Sequence, residues 1–294
     1  FPEQRIYFED EFPDYLNNHE NEAEAADTIF REALEDEGIA FLDMGEVYDD
    51  LGHPADFYST VDHHYNYYGA YAAYRSILDT LAADGWELPV LTEEDFTFRE
   101  LPNPYIGSRN RKLYNLSPNE DRAVIAELKD PIAYTRYDNG ELSDKPLYVL
   151  PAAEELPTTY NLYMGGDFGE TILETNRPEL PDVLVFGDSF TNALETLLYT
   201  SFDEMRSLDL RHYTDKTLRA YITDYHGGDA PPGPLRVPCG AAAFEVLFRH
   251  RGGERGALHC VLFLLSGDLL PGGGVHPTLY RPGHRGGALS PFVA

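Results

Sequence analysis

The chain has 294 residues, 43% of them hydrophobic and 25% charged, which is enough apolar content for one large or two small packed domains and argues against wholesale disorder. Its 51 acidic residues face only 22 basic ones, a net charge of −29 that repels nucleic acid and anionic lipid and makes both poor partners. Only Lys112, Lys129, Lys145 and Lys216 are lysines, and an acid-rich, lysine-poor surface suits a salty or extracytoplasmic setting.

In chain order, Glu22 to Glu37 carries Ala, Ile, Phe and Leu at helical spacing, with Gly38 as a stop, and Ile39 to Asp43 reads as a buried strand. Asn66 to Ala83 reads as a helix with Ala70, Ala73, Tyr74, Ile77, Leu78 and Leu81 on one face, ended near Gly85. Residues 90–145, rich in Pro, Asn and Tyr, read as loops with short strands. Leu147 to Leu150 and Val183 to Phe186 are predicted strands, the second running through GDSF into a helix over Thr191 to Met205. A short strand, Ser207 to Arg211, precedes a helix from Thr214 to Tyr225. Strands alternating with helices predict a parallel or mostly parallel sheet covered on both faces, with sites at the carboxyl ends of its strands. No apolar run nears the ~20 residues of a membrane helix. The chain opens on Phe1 without a signal-peptide pattern, which reads as a processed start or a fragment.

Composition changes after His226. Residues 227–294 hold four acids against six arginines, 14 of the 25 glycines and 8 of the 21 prolines, with no Asn, Ile or Lys. Such a stretch reads either as a Gly/Pro-rich linker or as a shifted reading frame of a GC-rich gene, and the abrupt reversal of charge favours the second. We therefore divide the chain into an α/β domain, 1–226, and a tail, 227–294, expected to be poorly ordered and to carry no site residue. Within the tail only Ala257 to Leu270 has the apolar content to form an element, one able to dock on an exposed sheet edge. Both cysteines, Cys239 and Cys260, lie in the tail, so the domain has neither disulfide nor thiolate chemistry.

Three stretches of the domain carry chemistry. In Val183 to Phe190 a β-branched strand ends in Gly187, and Ser189 follows at the start of a helix, where backbone N–H groups can hold an oxyanion; the plainer reading is a helix cap. In Thr60 to Asn66, Asp62 and His64 are two apart and can pair as orienting carboxylate and general base. The same residues read alternatively as an N-cap with solvated histidines, or, least well, as metal ligands, since His19, His53 and His212 add no recognised zinc spacing. In Tyr160 to Gly169 the paired Gly165 and Gly166 let backbone approach a ligand and donate an N–H to an oxyanion, or simply form a turn.

Taken together and in order, DHHY followed by GAYAAY, then YMGGDFG, GDSF and LDLRHYTDKTL, resemble the DHHW family of bacterial extracytoplasmic proteins. That family lies in the SGNH/GDSL hydrolase superfamily and is similar to alginate O-acetyltransferase-type proteins. The resemblance runs from near Phe1 to about Tyr225 and implies a three-layer, flavodoxin-like α/β fold with a mostly parallel sheet. It implies Ser189 as nucleophile, His64 as general base and Asp62 as orienting acid, with no role for His63 and no cofactor or metal. Two departures stand out. Tyr65 replaces the family's Trp, and the Gly227–Pro232 run stands where relatives continue into another hydrophobic strand, which implies a sheet incomplete at its C-terminal side. The superfamily's Asn is left unassigned, although Asn192 lies near Ser189 in sequence. The implied activity is O-acyl transfer or ester hydrolysis through an acyl-enzyme on a cell-surface polysaccharide or polymer. Its partners would be an acylated glycan or acyl donor, the donor held by a membrane-bound protein, and the alternative is a non-catalytic glycan-binding or scaffold protein that keeps the fold.

Overall fold

The computed structural model describes residues 4–11, 13, 15, 20–36, 40–225, 245–249 and 259–263. Four helices open the chain, α1 (Gln4–Tyr7), α2 (Glu20–Asp36), α3 (Met44–Leu51) and α4 (Tyr67–Ala83). Next come β1 (Phe96–Glu100), α5 (Ser108–Lys112) and β2 (Val124–Leu128), then β3 (Thr135–Asp138), β4 (Glu141–Ser143) and β5 (Glu170–Glu174). The domain closes with β6 (Asp182–Gly187), α6 (Thr191–Leu198), β7 (Glu204–Asp209) and α7 (Leu218–Tyr225). From 227–294 come β8 (Glu245–Arg249) and β9 (His259–Phe263).

The helix over 67–83 forms as the sequence predicts. Asn66 caps it by accepting from the N–H groups of Tyr68 and Gly69 at 3.0 and 3.1 Å, and Ala70, Ala73, Tyr74, Ile77, Leu78 and Leu81 are all buried. It packs on α6, and both lie against Val183 and Val185 of β6. The alternate residues of β6, Leu184 and Phe186, point the other way, into a cluster with Leu208, Tyr221 and Ile222. Helices thus cover both faces of the central strand, and each fully buried side chain on it contributes about 1.5–3 kcal/mol.

The sheet is mixed, which corrects the expectation of a mostly parallel one. Its order is β4-β3-β5-β7-β6-β9-β8, and β6 is parallel to β7 and β9 while the remaining neighbours are antiparallel. The connections explain this. Parallel neighbours need a crossover, which α6 provides between β6 and β7, whereas β3 and β4 are joined by Asn139 and Gly140 alone, at φ 51° and 80°. Where the sheet was expected to stop at β6, β9 pairs with that strand from within the Ala257–Leu270 run. β8 pairs with β9 from outside that run, which corrects the expectation that the run alone forms an element, because Val246, Leu247 and Phe248 make a short apolar strand of their own. The remaining tail residues lie outside the described ones, as do Gly38 and Ile39.

Three local expectations are also corrected. Residues 41–43 form no strand, because Asp43 instead caps α3 by accepting from the Gly45 N–H at 2.8 Å. Leu147 to Leu150 makes a single bridge, Tyr148 to Tyr163, since Pro146 and Pro151 flank it and cannot donate to a ladder. The helix after GDSF ends at Leu198 rather than Met205, because Arg177 donates to the carbonyls of Tyr199, Thr200 and Phe202 and closes its last turn. The final helix likewise starts later, with Thr217 in place of Thr214 accepting from the Ala220 N–H.

Candidate active site

The loop that carries Asp62 and His64 is fixed at both ends. Tyr58 bridges to Tyr65, and Asp121 accepts from the Ser59 hydroxyl at 2.7 Å, the Thr60 N–H at 2.8 Å and the Thr60 hydroxyl at 2.6 Å. Ser59 in turn accepts from the Asp62 N–H at 3.1 Å. Asp62 is 1% exposed. Its Oδ2 accepts from the Ser108 N–H at 2.6 Å, at the start of α5, and its Oδ1 faces His64 Nδ1 at 2.7 Å. His64 Nε2 lies 2.8 Å from Ser189 Oγ.

These distances assign the tautomer. Nδ1–H donates to the carboxylate, which leaves Nε2 as acceptor for the Ser189 hydroxyl. Ser189 sits in the turn between β6 and α6, half-buried, and does not cap the helix, whose N-cap residue is Phe190; Asp188 Oδ1 accepts from the Phe190 N–H at 2.9 Å and so braces the turn. The structure therefore brings Asp62, His64 and Ser189 into one hydrogen-bonded line from two chain segments 125 residues apart.

Electrostatics fit that tautomer. Burial would push the Asp62 carboxyl up, but hydrogen bonds from His63, His64 and Ser108 outweigh it and hold the group well below the usual carboxylate range. Burial pushes the His64 imidazole down from its ordinary value and nearby His63 adds to this, against the pull of Asp62 and Asp188. His64 is thus neutral at neutral pH, the form a base requires.

Aromatic rings fix the imidazole. Tyr160 stacks on it with centroids 3.7 Å apart and planes within 6°, and Phe190 lies 4.9 Å away on a tilt. Tyr65, fully buried, donates its hydroxyl to the Phe190 carbonyl and so joins the DHHY loop to the nucleophile turn. Tyr65 and Tyr160 also line a cavity of about 230 Å³ together with Tyr58, Tyr105 and Tyr163.

Gly165 and Gly166 lie in a turn with positive φ, where the Gly166 N–H donates to the Tyr163 carbonyl and Gly165 faces Val149 and Lys145. It is the next residue, Asp167, that reaches the nucleophile's helix, accepting from Asn192 Nδ2 at 2.8 Å and pairing with Arg211 at 3.1 Å. YMGGDFG, the helix that follows GDSF, and LDLRHY therefore meet at one carboxylate. His63 faces Ser108, with Nδ1 2.6 Å from its hydroxyl. Asp62, His63 and His64 stand close enough to share a cation, as do Asp167, Asp209 and His212, but in the first group both nitrogens of His64 already face Asp62 and Ser189.

Sequence reasoning missed Ser108, Gly107 and Asp121. They lie in the aperiodic stretch 90–145 and reach the motif loop only through contacts distant in sequence: the Ser108 N–H and hydroxyl, the Asp121 carboxylate and the close backbone approach at Gly107.

A strand–turn–helix serine facing a histidine and a carboxylate from a separate loop has the geometry of a serine triad on an α/β scaffold. Solved structures share this fold. The chain is similar to Bacillus cereus PatB1 with sulfonyl adduct at 26% identity and TM-score 0.52, over 62% of each chain. A DHHW family protein from Eubacterium siraeum shares the fold at 17% identity and TM-score 0.52, over 76% of this chain and 63% of that one. The O-acetyltransferase domain of Pseudomonas putida AlgJ aligns at 11% identity and TM-score 0.40, over 70% of this chain and 59% of that one. The chain thus spans less than two thirds of each of these structures. No family model and no curated protein matches it.

Proposed function

We propose that the chain is an SGNH-type serine enzyme that acts outside the cytoplasm on O-acyl groups of a cell-surface glycan or polymer. The observation that carries this reading is the hydrogen-bonded line from Asp62 through His64 to Ser189. As Ser189 Oγ attacks an acyl carbonyl, its proton passes to His64 Nε2, and the resulting imidazolium is stabilised by Asp62 through Nδ1–H. The new oxyanion forms at the start of α6, where backbone N–H groups and the helix dipole favour negative charge. Collapse of the tetrahedral centre breaks the bond to the leaving oxygen, which takes the proton from His64 and leaves an acyl-enzyme. Attack by water or by a sugar hydroxyl, with His64 as base again, releases acid or acylated sugar.

The similarity to PatB1, which carries a sulfonyl adduct, supports the same chemistry, since a sulfonyl group is an electrophile that an activated serine captures. The acidic, lysine-poor composition supports an extracytoplasmic site of action; among the described residues no helix is long and apolar enough to cross a membrane. The test is turnover of a small aryl acetate. Ser189→Ala should abolish it with the far-UV spectrum unchanged; persistent turnover in that variant would refute Ser189 as the nucleophile, and no turnover in the parent protein would favour a scaffold or glycan-binding role.

A further inference from the structure

One helical turn past Thr191, where α6 begins, lies a buried carboxyl with no part in this chemistry. Glu195 of α6 is 4% exposed, and its Oε1 accepts from the hydroxyls of Thr191 and Ser207, the latter at 2.6 Å. A buried carboxyl is costly unless its polar atoms are matched. The buried guanidinium of Arg136 donates instead to Asp138 at 2.9 Å and to the carbonyls of Pro146 and Met164 at 3.0 and 2.6 Å. Burial accordingly pushes the Glu195 carboxyl up, against the hydrogen bonds from Ser207 and Thr191 and the charge of Arg136.

Thr191 is the informative neighbour. Its hydroxyl lies within reach of Glu195 and, at 3.0 Å, of the carbonyl of Asp188, yet it has one proton to give. If Glu195 keeps its own proton, it donates to Thr191, and the Thr191 proton goes to the Asp188 carbonyl, immediately before Ser189. Ser207 on β7, Glu195, Thr191 and Asp188 then form one directed chain.

We propose that Glu195 is a positioning residue for Ser189: through Thr191 and Ser207 it fastens the turn between β6 and α6 to β7 and fixes the nucleophile against His64. The proposal rests on the reading of Ser189 as nucleophile. Tyr65 and the Asp188 side chain hold the turn at Phe190, and the Glu195 chain holds it at Asp188.

The test is aryl acetate kinetics together with the rate of fluorophosphonate labelling in E195L, E195Q and T191V. Leucine removes the hydrogen bonds and glutamine keeps one donor and one acceptor. In E195L and T191V both kcat and the labelling rate should fall about tenfold to a hundredfold with KM unchanged, the scale of an ångström-level misplacement. E195Q should restore most of the loss, a recovery that simple destabilisation would not reproduce at equal Tm. Parent-like kcat in E195L, or E195Q no better than E195L, overturns the proposal. Should E195L fail to fold, T191V decides on the same kcat criterion. Absent labelling in the parent, or labelling that persists in Ser189→Ala, contradicts the nucleophile itself and is thereby told apart.

Discussion

Substituting alanine for Gly107 tests how Asp62 is held. A Cβ at that position would lie 2.2 Å from the Val61 carbonyl oxygen, 2.4 Å from its carbon and 2.7 Å from the Asp62 nitrogen. All three are backbone atoms, so no side chain can swing aside. Ordinary contact starts at 3.4 Å, which means that the two segments must part by about 1.2 Å. Parting them stretches the bond from the Ser108 N–H to Asp62 and those from Arg109 and Asn110 to the Val61 carbonyl. A buried carboxylate deprived of one hydrogen bond loses about 1–3 kcal/mol. Displacing the base by an ångström costs about 10²-fold in rate. Gly107→Ala should therefore lower kcat/KM for an aryl acetate about 10²-fold or more and lower Tm, with the protein still folded by far-UV circular dichroism. A folded Gly107→Ala protein with parental turnover would refute the reasoning, because Asp62 would then not depend on its seat against Ser108.

Other predictions follow from the same geometry. His64→Ala should lower the acylation rate about 10²–10⁴-fold, as loss of a general base does, while His63→Ala should cost much less and a chelator nothing; an essential His63 would reverse the assignment. Because burial lowers the His64 pKa, the acid limb of kcat/KM should lie below the ordinary histidine value of 6.5, and Asp62→Asn should move it lower still, since the carboxylate is what raises it. The same shifts set the pH dependence of stability. A histidine kept neutral by the fold loses stability as pH falls through its unfolded value, and Asp62, depressed in the fold, adds to the loss as pH falls further, so urea midpoints should decline on acidification. A flat urea midpoint between neutral and acid pH would contradict both assignments.

Much of the site is local and therefore legible in the sequence. Val183 to Gly187 followed by Ser189 specifies a buried strand and a tight turn, and the two-residue spacing of Asp62 and His64 is short enough to pair them within one loop. The helix face of 67–83 is legible for the same reason, a periodicity of 3.6 with a polar cap at Asn66. What the sequence conceals is contact between distant segments. Ser108 and Asp121 grip the motif loop from a stretch with no periodicity, and Asp167 joins Asn192 of α6 and Arg211 across three separate segments. Strand direction is partly recoverable, because Asn139-Gly140 is a hairpin signal that forbids a parallel pair there. The pairings of β5 carry no such signal and depend on the tertiary fold.

The central claim is that Ser189 is a nucleophile activated by His64. Its most direct test is peptide mass spectrometry after exposure to a fluorophosphonate. The account predicts phosphonylation on Ser189 in the parent protein and its near-complete loss in His64→Ala at equal fold. An unmodified Ser189, or equal labelling with and without His64, would contradict it.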